Sequence, residues 1–258
     1  MAVFDGYSRY YDALYHDKDY KGETSFVIDL IKTHGGDAKS IFELGCGTGA
    51  HAEYLARAGY DVYGIDISDE MLSRANKRLA SLYNKSATKI KFSKGDVRNV
   101  ELGLTFDVVL SLFHVMSYQT SNVDVINTLI SAKKHLKKDG VLIFDIWYGP
   151  AVLTDPPAVR VKRLSNEDIE IVRIAEPVMH ATENIVDVNY QVFVKDKSSL
   201  NVDQLNETHR MRYFFNPEFD LFLKEVGMEC IECRKWMSSD EPGFDTWYVY
   251  FVVRNIAE

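Results

Sequence analysis

Glu43-Leu44-Gly45-Cys46-Gly47-Thr48-Gly49 is the stretch on which the fold turns. It follows a short apolar run at 40–43 and opens an amphipathic stretch at 48–58, so it reads as a loop from a β-strand into a helix. Glycines at alternate positions let the backbone approach a ligand where a Cβ would collide, and glycine takes positive φ without steric cost. In an open parallel sheet this places the ligand at the carboxyl ends of the strands, beside a helix N-terminus.

Outward from this loop, apolar runs at 61–65, 89–93, 106–111 and 140–146 alternate with helical patterns at 68–83 and 121–138. Ser68 and Ser121 or Asn122 suit N-caps, and Gly59 and Gly140 stand where C-terminal caps belong. Short strands alternating with crossover helices predict a doubly wound, Rossmann-like α/β sheet. After Pro150 the texture changes. The β-branched and aromatic runs at 169–174, 185–194 and 207–215 have no helical period between them and predict an added antiparallel β-meander. A helix at 217–226, opened by Asn216-Pro217 and stopped by Gly227, precedes strands at 228–237 and 246–254, a terminal antiparallel hairpin.

The chain has 258 residues, 46% apolar and 26% charged, which is ordinary for a globular protein. A single domain is expected: a core of 40–148 and 216–258, an N-terminal helical lid at 1–39, and a β insertion at 149–215 forming part of a ligand pocket. The net charge of −8, without a long basic run, argues against binding nucleic acid or an anionic membrane. No apolar run approaches the roughly 20 residues that span a bilayer, and three cysteines cannot form a disulfide framework. A reducing cytoplasm is the expected location, and a homodimer is an admissible state. Cys230 and Cys233, three apart on a predicted strand, are expected on opposite faces and are not expected to share a metal.

Two further strand ends carry acids. Gly64-Ile65-Asp66 ends the second core strand and Gly95-Asp96-Val97 follows the third; taken singly, either aspartate could be an Asx-turn or N-cap residue. A nicotinamide dehydrogenase would show G-x-G-x-x-G, whereas the spacing here is G-x-G-x-G with Glu43 two residues ahead. That pattern resembles the class I S-adenosylmethionine-dependent methyltransferases, whose first motif is E/D-x-G-x-G-x-G, over residues 40–147. The resemblance implies S-adenosyl-L-methionine as cofactor and S-adenosyl-L-homocysteine as product. It implies that Gly45, Cys46, Gly47 and Gly49 surround the methionine part, with Cys46 serving as a small side chain in the loop. Asp66 would hold the ribose, Ile67 and Met71 would flank the adenine, and Asp96 with Val97 would read its edge. Glu43 would orient the loop, while Ser111 and Leu112 lie beneath the cofactor.

A narrower resemblance concerns the acceptor. Five of the chain's 15 tyrosines fall in the first 20 residues. Phe4, Tyr7, Tyr11, Leu14 and Tyr15 recur at helical spacing, which fits either an amphipathic packing helix or an aromatic lid. Tyr11-Asp12 with Lys18-Asp19-Tyr20 is similar to the N-terminal element of the N,N-dimethyltransferases of nucleotide-linked amino sugars. His209-Arg210-Met211-Arg212-Tyr213-Phe214 is similar to their H-R-x-x-x-F stretch. By that likeness Tyr11 and Tyr20 face the active site and Tyr118 takes the place of a substrate-side histidine. His209, Arg210 and Arg212 would then bind substrate. The chain departs at Asp240-Glu241-Pro242-Gly243-Phe244-Asp245, where the family has a glycine-rich loop with an arginine for the diphosphate. Arg210, Arg212 or Lys18 would have to supply that charge.

The function expected is therefore methylation of a small molecule, an amino sugar in the first instance. O-methylation with His114 as base is the alternative, His114 otherwise being a packing residue. A non-catalytic S-adenosylmethionine-binding regulator is the non-enzymatic rival. His51 is expected to be structural. Asp155-Pro156-Pro157-Ala158 reads as a turn, not as the D-P-P-Y motif of DNA methyltransferases.

Overall fold

The computed structural model describes residues 8–82 and 89–256; Phe4 and Tyr7, named above for the lid, lie outside them. Helices α1 (Ser8–Leu14) and α2 (Tyr20–His34) lead into strand β1 (Ser40–Leu44), the glycine loop and α3 (Ala50–Arg57). Next come β2 (Asp61–Asp66), α4 (Asp69–Ser81), β3 (Ile90–Lys94), β4 (Phe106–Ser111) and, after a 3₁₀ turn, α5 (Asn122–Lys134) and β5 (Leu136–Tyr148). The insertion holds α6 (Gly149–Thr154), β6 (Arg160–Ser165), β7 (Ile169–His180), β8 (Ile185–Asp196) and β9 (Val202–Phe214). It is followed by α7 (Asn216–Glu225), β10 (Met228–Lys235) and β11 (Tyr248–Asn255).

The core sheet runs β3-β2-β1-β4-β5 in parallel, with β11 antiparallel to β5 and β10 on the edge. Strand alternation divides its side chains between two layers. Phe42, Phe106, Leu142 and Phe144 meet α5 and α7 on one face. Ile41, Val108, Val141 and Ile143 meet α2 and α3 on the other. Both layers are dry, which fixes the register of strands whose upper ends carry the site.

The meander is not a separate sheet. Beyond the end of β4, the last residues of β5 pair with β9, Trp147 with Tyr213 and Tyr148 with Phe214, and β8, β7 and β6 follow in antiparallel order. Strand β6, absent from the expectation, carries charges at Arg160, Lys162 and Arg163 that mask its apolar alternation. It is the free edge, where charge discourages pairing with another chain.

Three details correct the sequence reading. Helix α5 stops at Lys134 rather than near 138, because the His135 ring bonds back to the Ser131 carbonyl at 2.7 Å. Gly140 therefore lies inside β5 rather than at a helix cap; a Cβ there would come within 2.9 Å of the Asp107 carbonyl oxygen. A β-bulge between Cys230 and Glu232 adds a residue to β10, so Cys230 and Cys233 pack on the same core layer instead of facing apart. Ser68 and Ser121 do cap α4 and α5, accepting from Met71 N–H and Asp124 N–H.

Candidate active site

The carboxyl ends of β1, β2 and β4, the N-terminal helices and the inner face of the meander enclose a cavity of about 1100 Å³. At one end lies the glycine loop. Gly47 has φ +53°, and no atom lies within 4 Å of the place its Cβ would take. That place faces the cavity, so a side chain there would project into ligand space. The Asp66 carboxylate accepts from the Gly47 N–H at 2.9 Å and from the Ser68 N–H at 2.8 Å, which ties the loop to the end of β2. Burial raises the Asp66 pKa, and those N–H donors oppose the rise.

Ile67, Met71, Asp96, Val97 and Leu112 line the same end as expected, with Gly45 and Cys46. Ile67 is 55% exposed, an apolar surface open to a flat ligand. The Asp96 carboxylate accepts from Arg98 Nε at 2.9 Å and from its terminal nitrogen at 2.6 Å, and that contact lowers its pKa.

Three expected contacts stand behind the wall instead of lining it. Gly49 caps α3 at φ +73°, and a Cβ there would sit 2.6 Å from Phe92 Cζ, so packing and not a ligand demands glycine. Ser111 is fully buried, its hydroxyl without a partner among the described residues. Glu43 is 2% exposed, and burial together with the neighbouring Asp66 pushes its pKa up to about 8. Among the described residues one Glu43 oxygen has no hydrogen-bond partner, and the other lies 3.8 Å from His51 Nδ1. A cationic group above the loop would relieve this buried acid. The open glycine cradle, the bare Ile67 and the unsatisfied Glu43 fit S-adenosylmethionine.

The N-terminal segment covers this end. Thr48 donates to Asp12 on α1 at 2.7 Å, and Arg78 of α4 bonds both Asp12 and the Thr48 carbonyl. Tyr11, Tyr15 and Tyr20 line the cavity. Burial raises the Tyr11 phenol well above its ordinary value, and the Tyr20, Tyr15 and Tyr118 phenols add to the rise. Lys18, a candidate for acceptor charge, lies outside the cavity lining; it pairs with Glu23 and covers the Phe113 ring at 4.2 Å. Burial acts to raise the Glu23 pKa, but His51 and Lys18 outweigh it and hold the acid at about 2. His51 thus spans Glu23 and Glu43, a buried bridge that also touches the cavity.

The opposite end is walled by the meander and by the turn after β4. At the end of β4 both Phe113 and His114 take left-handed backbone, φ 62° and 66°. This turn lays the His114 ring on Tyr248, centroids 4.5 Å apart, with its Nδ1 2.6 Å from an oxygen of Asp145. Tyr118 Oη bonds His209 Nδ1 at 2.8 Å, and His209 Nε2 lies 3.2 Å from Glu207. Burial pushes the Tyr118 phenol well up, with Tyr190, Tyr15, Glu207 and Asp66 adding to it.

Strand alternation corrects the arginine assignments. On β9 His209 and Met211 point into the cavity, so Arg210 and Arg212 point out. Arg210 pairs with Glu183 at 2.7 Å and also with Asp187, while Arg212 bonds Asn122 and Glu218; the two border a separate shallow pocket. Arg160 on β6 and Arg173 on β7 line the cavity at this end, and neither was among the sequence candidates. Arg173 lies against the rings of Tyr15 and Tyr190, at 5.9 and 5.2 Å. The 155–158 stretch, expected as a turn, is a bend at Asp155 followed by irregular backbone between α6 and β6, and contributes Asp155, Pro157 and Ala158 to the wall. Asp145 was missed too, although a lone acid inside Val141-Leu142-Ile143-Phe144-Asp145-Ile146-Trp147 is a signal. A buried carboxylate needs a partner.

Residues 41–140 match the model of a methyltransferase domain. Over 222 residues the chain is 26% identical to the dTDP-3-amino-3,4,6-trideoxy-alpha-D-glucopyranose N,N-dimethyltransferase of Streptomyces venezuelae, covering 84% of this chain and 88% of that one. It is 25% identical over 211 residues to the dTDP-3-amino-3,6-dideoxy-alpha-D-glucopyranose N,N-dimethyltransferase of Streptomyces fradiae, covering 82% and 78%. The fold is shared with a solved sugar N-methyltransferase of Streptoalloteichus at a TM-score of 0.82 and 20% identity, covering 100% of this chain and 95% of that one. Together with the cradle, the domain match and the relatives identify an S-adenosylmethionine-dependent methyltransferase, and the solved structure shares its Rossmann-like core.

Proposed function

We propose that this enzyme methylates the amine nitrogen of an amino sugar carried on a nucleoside diphosphate. The observation that carries the reading is one continuous cavity: the cofactor cradle opens directly into a chamber walled by the meander, with arginines facing inward at its far side. The dimethyltransferases it resembles act on dTDP-linked amino sugars. Residues 1–39 act as the lid and 149–215 as the acceptor wall.

When bound, S-adenosylmethionine supplies an electrophilic methyl group on a sulfonium sulfur. The protein's part is to place an amine lone pair in line with that methyl and to exclude water, and such positioning alone can account for a large share of the rate. Tyr11, Tyr15 and Tyr20 line the cavity, and aromatic rings favour a cationic centre in a desolvated site. The aromatic and apolar wall of Trp247, Pro177, Val188 and Met211 suits a sugar and base, and Arg160 with Arg173 suits the phosphates.

The test is incubation with S-adenosylmethionine and dTDP-3-amino-3,4,6-trideoxyglucose, beside free amines and simple phenols, read by mass spectrometry. The expected result is a gain of one or two methyl masses on the amino sugar. Transfer to phenols with none to the amino sugar would overturn the reading.

A further inference from the structure

The cavity contains a histidine–carboxylate pair that the positioning chemistry above does not use. Asp145 lies near the carboxyl end of β5 and is 2% exposed. Its carboxylate accepts from the backbone N–H of His114 at 3.2 and 3.1 Å and lies 2.6 Å from Nδ1 of the same residue, a charge contact out of line for a hydrogen bond. The ring is pinned from the other side by Tyr248, stacked at 22°. Nε2 is the remaining polar atom of a ring that lines the cavity, and it makes no hydrogen bond within the described residues. His114 reaches this position through two consecutive left-handed non-glycine residues, a conformation disfavoured by contact of Cβ with the following carbonyl. Strain of this kind persists where the surroundings over-determine it, and such places cluster at working sites.

An aliphatic amine in water at neutral pH is largely an ammonium, which has no lone pair to give. Methyl transfer to nitrogen therefore needs a proton removed first, and after a first methylation the product is again an ammonium. We propose that His114 Nε2 is the proton acceptor for the ammonium form of the methyl acceptor, with Asp145 as the positioning residue that presents Nε2 to the cavity. This rests on the amine reading above. His114 takes one N–H proton and becomes imidazolium, its charge balanced by Asp145. The freed nitrogen lone pair forms the new N–C bond as the methyl's bond to sulfur breaks, that electron pair remaining on the thioether. The proton passes to solvent when the product leaves.

The charged and titratable groups around the ring come from four elements. Asp145 belongs to β5, and Tyr248 begins β11. Arg160 on β6 acts electrostatically on Tyr248. Tyr15 and Lys18, from the N-terminal segment, meet the adjoining Phe113 ring at 5.3 and 4.2 Å. Among them Asp145 is the carboxylate in contact with the imidazole, so its removal should dominate any change in proton affinity.

The test uses histidine-labelled enzyme titrated by NMR without ligands, the His114 signal being assigned through His114→Gln. Asp145→Asn keeps the shape and one acceptor for the backbone N–H. It is expected to lower the His114 midpoint by at least one pH unit. The acidic limb of kcat/KM for dTDP-3-amino-3,4,6-trideoxyglucose should move down with it and the plateau should fall at least tenfold, while the Kd for S-adenosylmethionine changes less than twofold. An unmoved His114 midpoint would overturn the pair, as would a single limb at the amine's own pKa that is identical in wild type and Asp145→Asn. A displaced midpoint with no wild-type transfer to the amino sugar would uphold the pair and overturn the acceptor reading.

Discussion

The Thr48 hydroxyl, inside the glycine loop, donates at 2.7 Å to the carboxylate of Asp12 on α1, joining the cofactor cradle to its cover. Arg78 holds the same carboxylate from α4 at 3.1 Å, so one half-exposed acid links three elements. Thr48→Val removes the donor while keeping the branched shape. A hydrogen bond to a partly exposed charge contributes about 1 kcal/mol, which corresponds to roughly a fivefold change. Dissociation of S-adenosylmethionine, followed by stopped flow, should quicken by about that factor, with stability in denaturant nearly unchanged. An unaltered off-rate would mean that α1 does not retain the cofactor.

Gly47 and Gly49 separate two demands that the sequence pattern presents as one. Both have positive φ, which costs an alanine about 1–2 kcal/mol. At Gly49 the new Cβ also drives into Phe92, so Gly49→Ala should lose about 2–4 kcal/mol in chemical denaturation. At Gly47 nothing is struck, so Gly47→Ala should cost the fold only about 1–2 kcal/mol and yet abolish cofactor binding in calorimetry. Equal stability losses at both positions would contradict this division.

Glu43 makes stability depend on pH in an uncommon direction for an acid. Its folded pKa, about 8, lies above the ordinary 4.5, so between those values the folded chain keeps a proton that the unfolded chain has released. Stability from this group is therefore greatest below pH 4.5, falls through the interval and is lowest above pH 8, with a swing of no more than about 5 kcal/mol. Denaturation at pH 5, 6.5 and 8 should show a steeper decline for wild type than for Glu43→Gln. Cofactor binding near pH 7 should release a proton, seen as buffer-dependent heat, because a bound cation favours the carboxylate. A flat comparison would place the titrating proton elsewhere.

The cofactor half of this site was legible because its constraints are local in sequence: a strand end, a glycine loop and an acid two residues past a glycine. Asp66 and the Gly45–Gly47 pair fall where the pattern puts them. The acceptor half is assembled from separate strands. His114 meets Asp145 across 31 residues and Tyr118 meets His209 across 91, distances over which no periodicity carries information. Arg210 and Arg212 looked like ligands because a motif surrounded them, yet a strand's period of two sends alternate residues outward. Cys230 and Cys233 failed for the converse reason, since a single bulge residue reversed the alternation.

Arg160 and Arg210 provide a paired test of which arginines meet the acceptor. Arg160 lines the cavity, and Arg210 stands on the outer surface with Glu183. Arg160→Ala should raise KM for a dTDP-linked amino sugar about tenfold or more, as expected for losing about 1.5–3 kcal/mol of charged hydrogen bonding, and leave the Kd for S-adenosylmethionine unchanged. Arg210→Ala should leave both within twofold. The reverse outcome would return the phosphate site to β9.

The two-residue junction of Trp147 and Tyr148 with Tyr213 and Phe214 makes the placement of the meander against the core sheet a property of one shared strand, and with it, under the proposed function, the spacing between methyl donor and acceptor. Sequence change elsewhere in the meander can then re-tailor the chamber without disturbing the alignment of the reacting atoms. Substrate range in this architecture can thus diversify by splicing at residues 148 and 215, much as a tool changes its jaw while keeping its handle. A chimaera that respects those two joints inherits its reach ready calibrated, whereas one cut inside β5 has to rediscover it.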